Sequence, residues 1–230
     1  MSESGGKLER AMTMVLTLCA VLFAAILVKR EFLDGDARAV YAERSTVPER
    51  VDNWDELRAN GLALRSPAAP VVVVEFADLE CPACKQFHTR LKDAAADLDA
   101  DVGLVMVHFP LGTHRFARPA ARALECAHAA GAGARFVDVA YAKQDSFGLK
   151  PWTGYAAEAG VRDTAAFAAC AGDTAPVARV DNGRRLGESM DLTGTPTVII
   201  NGWRFPTVPN DTQLRAAIKA LMAGKAPPGA

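Results

Sequence analysis

The feature that most limits what this chain can fold into is a junction. The apolar run Val71 to Phe76 passes within a few residues into Cys81-Pro82-Ala83-Cys84, after which Phe87, Leu91, Ala94 and Leu98 recur at helical spacing. A Val-rich run without polar alternation reads as a strand covered on both faces. Apolar residues at steps of three and four read as a helix with one buried face. The cysteine pair therefore falls where a strand hands over to a helix. Pro82 suits the first helical position, where a missing N–H costs nothing and a fixed φ is already helical. A helix start carries partial positive charge, which stabilises a thiolate. Cys81 is the candidate nucleophile, and Cys84, in the first turn, is placed to resolve a mixed disulfide formed at Cys81.

The competing reading of a CxxC is half of a zinc site, with His88 as a further ligand. Structural zinc takes four ligands, usually with a second Cys pair. The other cysteines stand singly at 19, 126 and 170, so no metal is expected. Glu75, Asp78 and Glu80 precede the nucleophile and Lys85 follows it. A nearby carboxylate raises a thiol pKa and a lysine lowers it. Glu75 is the candidate proton-transfer group. The histidines at 88, 108, 114 and 128 are scattered, suit neither a metal cluster nor a catalytic dyad, and are read as structural.

A second motif, Gly194-Thr195-Pro196-Thr197, opens the apolar run Val198 to Ile200. Proline is tolerated at the mouth of a strand, and an X-Pro bond is the one place where a cis peptide costs little. A cis bond there would turn Thr195 and its backbone toward the cysteines.

The stretch Val73-Val74-Glu75-Phe76-Ala77-Asp78-Leu79-Glu80-Cys81-Pro82-Ala83-Cys84, then Phe109-Pro110-Leu111 with His114, then Gly194-Thr195-Pro196-Thr197 through Asn201-Gly202, resembles the DsbA-like branch of the thioredoxin superfamily. The resemblance covers about Ala69 to Leu221. It implies an α/β thioredoxin fold interrupted by a helical insertion beside the active site, and a cis-Pro loop facing an active CxxC. By that resemblance Cys81 attacks, Cys84 resolves, Pro196 is the cis-proline, Thr195 lies beside the substrate, and Pro82 and Ala83 support the pair. The strongly oxidising members carry His inside the CxxC, where this chain has Ala83.

Ala11 to Val28 is an uncharged run of 18 residues between Arg10 and Lys29-Arg30. As a helix it reaches about 27 Å, close to the roughly 30 Å of a bilayer core. A cleavable signal peptide is the rival, with a shorter apolar region followed soon by a small-x-small site. Ala37-Arg38-Ala39 has that form but lies across several charges, so a retained anchor is favoured. Cys19 reads as a small apolar residue of that run, and flanking charges on both sides leave orientation undecided.

The expected organisation is a short tail over 1–10, a single transmembrane helix over 11–28, a stalk over 29–68, the thioredoxin domain over 69–222 and a flexible tail over 223–230. The stalk carries one short helix near Asp52 to Arg58. Helical punctuation between the second strand, Val102 to Phe109, and Gly194 gives five helices in an insertion over 115–190. Asn201-Gly202 signals a hairpin, and Asp211 reads as the N-cap of a closing helix. Cys126 and Cys170 both fall in the insertion. In an oxidising compartment they suggest a structural disulfide, against two separate buried thiols.

With 26 Lys+Arg against 27 Asp+Glu and no basic block, nothing favours nucleic acid. The expectation is a membrane-anchored thiol-disulfide oxidoreductase on the extracytoplasmic, periplasmic side of a bacterial cell membrane. It needs no cofactor, because the electrons reside on the cysteine pair. Its partners are exported Cys-containing proteins and a membrane redox protein, either quinone-linked or thiol-transferring. The favoured direction is disulfide formation. The alternatives are a reductase or isomerase of the same fold, or a tethered binding or chaperone-like module.

Overall fold

A computed structural model describes residues 3–28 and 47–230, with side chains on the first helix described from 12 to 24. The Val-rich run forms β3 (Val71–Ala77), buried at every position. The other strands are β1 (Glu49–Arg50), β2 (Leu62–Arg65), β4 (Val102–His108), β5 (Thr197–Ile200) and β6 (Trp203–Arg204), and the sheet order is β1-β6-β5-β3-β4-β2. β3 runs parallel to β4, with Val74 beside Val105, and antiparallel to β5, with Glu75 opposite Val198. A parallel pair needs a crossover. Helix α3 (Pro82–Asp97) supplies it.

Side chains alternate across a strand, and the two faces of β3 bury different cores. Val71, Val73 and Ala77 pack with Cys84, Phe87 and Leu91 of α3. Val72, Val74 and Phe76 pack with Leu57, Val107 and Ile199 on the opposite face. Glu75 belongs by alternation to the α3 face, a carboxylate in an otherwise apolar row. Leu57 comes from α2 (Trp54–Asn60).

The insertion carries the five expected helices: α4 (Ala117–Ala129), α5 (Gly133–Ala142), α6 (Trp152–Glu158), α7 (Thr164–Gly172) and α8 (Ala178–Ser189). Asp163 caps α7 by accepting from the Ala166 N–H at 2.8 Å, which satisfies one of the unpaired donors of a helix start. α4 to α7 gather on the α3 face. α8 instead lies over β4. A Cβ at Gly183 would stand 2.4 Å from the His108 carbonyl oxygen, so the close approach depends on glycine.

The chain forms two compact units, residues 1–46 and 47–230. In the first, α1 spans Glu3–Val28, so helix reaches into the segment expected as a tail over 1–10. Met12, Met14, Leu16, Leu18, Val21, Leu22 and Phe23 are exposed along it. Among the described residues no helix is long and apolar enough to cross a membrane, so the structure does not supply the anchor expected over 11–28. Residues 29–46 of the expected stalk lie outside the described residues.

The stalk expectation differs from the structure over 47–68, which belongs to the second unit. β1 pairs antiparallel with β6, and β2 with β4. Both are short edge strands, and β1 is the dipeptide Glu-Arg, which carries no apolar pattern to read. Trp54 packs on the second core, with Arg58 over its ring at 5.8 Å. Two smaller differences follow at the C-terminus. The closing helix α9 (Asp211–Met222) is capped by Asn210, one residue before the expected Asp211, in a reciprocal box with Gln213. The tail over 223–230 is tied rather than loose: the Lys225 N–H donates to the Ala220 carbonyl at 2.9 Å, and Pro227 is buried. At the hairpin, Asn201 and Gly202 both take positive φ, 47° and 82°, the two-residue turn that Asn-Gly favours.

Candidate active site

Cys81 is the N-cap of α3, and Pro82 opens the helix. The Cys81 N–H donates to the Asp78 carbonyl at 3.0 Å, closing the turn that follows β3. Asp78 fixes that turn with its side chain as well. It accepts from the Glu80 and Leu111 N–H groups at 2.8 and 2.9 Å and meets His114 Nδ1 at 2.8 Å. Glu80 accepts from the Phe116 N–H. Of the three carboxylates before the pair, two are thus engaged in holding backbone. His114 is one of the fixings.

Glu75 is different. It is fully buried under the pair, and neither carboxylate oxygen has a hydrogen-bond partner. Burial first, and the Cys81 charge second, push its pKa from 4.5 up to about 8, so it carries a proton at neutral pH.

The two sulfurs are unequal. Cys81 is 6 % exposed and Cys84 is wholly buried. The Cys81 thiol is brought down from 9.0 to about 5, foremost by the Cys84 side chain, with burial opposing and with help from Thr195 and the N–H groups of Cys84 and Ala83. Those amides are the unpaired donors of the helix start. The Cys84 thiol is pushed well above its ordinary value by burial, by its hydrogen bond to Cys81 and by Glu75. One sulfur is set up as thiolate and the other as thiol.

The second motif arrives from 114 residues away. The Thr195–Pro196 bond is cis, and Cys81 Sγ donates to the Thr195 carbonyl at 3.4 Å. Pro196 is buried. The Thr195 hydroxyl is buried with no hydrogen-bond partner of its own, close enough to the sulfur to favour its thiolate form. Pro82 and Ala83 stand exposed on the outer side of the pair.

Sequence reasoning missed two groups here. Gln144, in a short 3-10 turn after α5, donates through Nε2 to the carbonyls of Leu79 at 2.7 Å and Cys81 at 3.0 Å. It ties the insertion to the loop that carries Cys81. Tyr141, in α5, is buried with its hydroxyl unpartnered and lies within electrostatic reach of Cys84 and Glu75. A lone Gln or Tyr in a helical segment carries no pattern that could have flagged it. Alongside α3 runs a groove of about 520 Å³, lined by Pro82, Lys85, Thr89, Arg90, Gln144 and Asp211.

Cys126 of α4 and Cys170 of α7 are joined, with sulfurs 1.96 Å and Cα atoms 5.9 Å apart. Cys19, Cys81 and Cys84 are free, and among the described residues no cluster of three or more His, Cys, Asp or Glu is arranged to hold a metal.

The sequence profile of the family described as Thioredoxin matches residues 59–220. A curated relative, the Na(+)/H(+) antiporter NhaA 3 of Salinispora tropica, is 32 % identical over 67 % of this chain and 24 % of its own length. The chain therefore spans about a quarter of the curated relatives it matches. A thioredoxin-like oxidoreductase from Silicibacter pomeroyi superposes with a TM-score of 0.59 at 24 % identity, over 72 % of this chain and 95 % of that one. DsbA2 of Pseudomonas aeruginosa superposes with a TM-score of 0.50 at 29 % identity, over 67 % and 90 %. The family profile covers most of the chain, and the fold, the unequal cysteine pair and the cis-Pro loop agree with it and are similar to those of a DsbA protein: the chain belongs to the thioredoxin family.

Proposed function

We propose that the chain promotes disulfide formation in exported proteins, working from a membrane tether on the extracytoplasmic side. The observation that carries the direction is the seat of Cys81 at the N-cap of α3, where the Cys84 side chain, Thr195 and the amides of the helix start favour its thiolate form. A sulfur stabilised as thiolate is a good leaving group and stabilises the reduced pair, which makes the oxidised pair the more willing to give up its disulfide.

The exchange follows from the two sulfurs. A client thiolate attacks Cys81 of the Cys81–Cys84 disulfide, and the bond between the two cysteines breaks. Cys84 departs as a thiolate and takes the proton that Glu75 holds, because both its burial and its pKa make the bare anion costly. A second client thiolate then attacks the client sulfur of the mixed disulfide. Cys81 leaves as a thiolate, the client is oxidised by two electrons and the pair is reduced. Thr195 and Pro196 border the sulfur on which an extended client would lie, with the Thr195 backbone offering it hydrogen bonds. A membrane redox protein, quinone-linked for an oxidase, then takes the two electrons.

The tether is read from the sequence alone, from the uncharged run Ala11 to Val28. Relatives named as Na(+)/H(+) antiporters, in which the matched segment is 24 % of the length, support the same setting. Ala83 in place of a His within the pair favours a second reading, a reductase or isomerase fed by a thiol-transfer partner. Equilibrating the pair with glutathione decides between them. A potential well above that of glutathione supports disulfide donation, and one below it supports reduction. Oxidative refolding of a reduced client is expected from the wild type and not from Cys81→Ser. Equal inactivity of both with every client overturns the exchange reading and leaves a binding module.

A further inference from the structure

The loops that follow the parallel strands β3 and β4 are stitched together by a short series of hydrogen bonds. The Phe109 N–H donates to the Ala77 carbonyl at 2.9 Å. The Leu111 N–H and His114 Nδ1 both reach Asp78 Oδ2, at 2.9 and 2.8 Å, and the Phe116 N–H reaches the Glu80 carboxylate. All of these donors but one are backbone amides, which every residue except proline supplies. The exception is His114. It is the one donor in the series that depends on which residue the sequence places there.

Its acceptor is the hub of the turn that carries the cysteines. The Asp78 side chain is wholly buried. Its Oδ1 takes the Glu80 N–H at 2.8 Å, and its backbone carbonyl takes the Cys81 N–H at 3.0 Å. Against the burial that raises the Cys84 pKa, the Asp78 N–H faces that sulfur and favours the thiolate. A carboxylate accepts and does not donate, so the hydrogen of the contact lies on His114 Nδ1. The segment that presents the ring is itself closed, the His114 N–H donating to the Leu111 carbonyl at 3.1 Å.

We propose that His114 is a positioning residue for exchange at the cysteine pair: its Nδ1–H, given to the buried Asp78 carboxylate, fixes the turn from which Cys81 and Cys84 are placed. The proposal needs exchange at Cys81 and is indifferent to its direction.

Losing that donor acts on the sulfurs twice, with one sign. The bond lost is charge-assisted, roughly twice as strong as a neutral one. Asp78 cannot shift without moving the carbonyl that seats Cys81 and the amide that faces Cys84. A carboxylate short of a donor also holds more of its charge bare, and a bare negative charge near a thiolate disfavours it. Both effects raise the pH at which Cys81 becomes a thiolate, and both slow its exchange.

The test uses the full chain and reads Cys81 directly. The rate of alkylation of the reduced protein by iodoacetamide, followed against pH, titrates the Cys81 thiolate, because Cys84 has no exposed surface. A single turnover of the oxidised protein with dithiothreitol gives the exchange rate. His114→Leu is expected to slow exchange by about tenfold, as a small misplacement of a reacting group does, and to move the Cys81 titration to higher pH. His114→Asn, whose amide nitrogen falls where Nδ1 stands, should bring both back to near wild type. His114→Gln, whose amide reaches the Nε2 position instead, should not.

A wild-type titration and rate in His114→Leu would overturn the proposal. Equal defects in all three variants would also overturn it, marking a ring that packs rather than a donor that positions. Slowed exchange with an unmoved titration would do the same. Oxidation of a reduced client no faster with wild type than with Cys81→Ser would overturn exchange itself and the role of His114 with it. The alkylation profiles keep that failure distinct from one confined to His114, because they read the seat of the sulfur and not its client.

Discussion

The molecule holds two cysteine pairs, and their differences are instructive. Cys81 and Cys84 are two residues apart at a strand-to-helix turn, with one sulfur at the start of α3 and a buried acid beneath the other. Cys126 and Cys170 are separated by 44 in sequence and join two helices of the insertion. Cys170 sits in the last turn of α7, where the partial negative charge of a helix end disfavours a thiolate. Cys81 sits where the charge is positive. Place along a helix, more than the element itself, separates the sulfur proposed to exchange from the sulfur that staples.

The sharpest way to break that contrast is to remove one sulfur of each kind. Cys81→Ser is expected to drop client oxidation to the uncatalysed background, whereas Cys126→Ser should leave it within about twofold, because that sulfur is committed to a bond with Cys170 and takes no part in the exchange. A refolding assay on both variants reads the difference. Loss of oxidation in Cys126→Ser, with a folded protein, would make the second pair part of the exchange. Stability should order the pairs the other way. Opening a closed loop of this length costs about 4 kcal/mol in the chain-entropy estimate. The Cys126→Ser/Cys170→Ser variant should therefore unfold at markedly lower denaturant.

The same contrast separates what the sequence could tell from what it could not. The reactive pair was legible because its chemistry is local: strand, turn, two cysteines and helix lie within about thirty residues. Thr195-Pro196 was legible as a motif at a strand mouth. The insertion helices were legible through caps and breakers such as Pro119, Gly131 and Asp163. β1 was not, because two edge residues gain their strand identity only from the partner strand β6. Gln144 and Tyr141 were not legible as parts of the site. Their positions around the pair exist only once α5 and the turn after it have packed on α3, and tertiary approach leaves no period in the sequence.

Titration sharpens the comparison within the first pair. Glu75 ionises near 4.5 when unfolded and about 8 when folded, so between those values the folded state holds one proton more. Stability then falls with rising pH, by up to about 1.4 kcal/mol per unit. Cys81 does the opposite. Its folded pKa is about 5 against 9.0, so the unfolded state holds the extra proton and stability rises with pH over that window. It is fully present above 9.0 and lost as pH falls through 5. In the reduced wild type the two slopes oppose each other between pH 5 and 8, and denaturation midpoints should be nearly flat there. The oxidised protein, with Cys81 unable to titrate, should lose stability as pH rises above 4.5. Reduced Glu75→Gln should gain it from 5 to 9. A falling slope in reduced Glu75→Gln would show that the Cys81 thiolate is not stabilised by the fold.

The smallest expected effect concerns the tie between the insertion and the nucleophile. Gln144→Ala removes two donations, to the carbonyls of Leu79 and Cys81. The Cys81 carbonyl keeps the Lys85 N–H at 3.2 Å, so the unsatisfied group is chiefly that of Leu79, at about 1–3 kcal/mol. The loss falls on a loop that Asp78 also holds from the other side, through Leu111 and His114. Exchange with a small dithiol should therefore change little in Gln144→Ala, while oxidation of a protein client, which depends on how the insertion stands beside Cys81, should fall more. Equal losses with both substrates would mean that Gln144 holds the sulfur itself in position, and that the insertion adds nothing to client recognition through this contact.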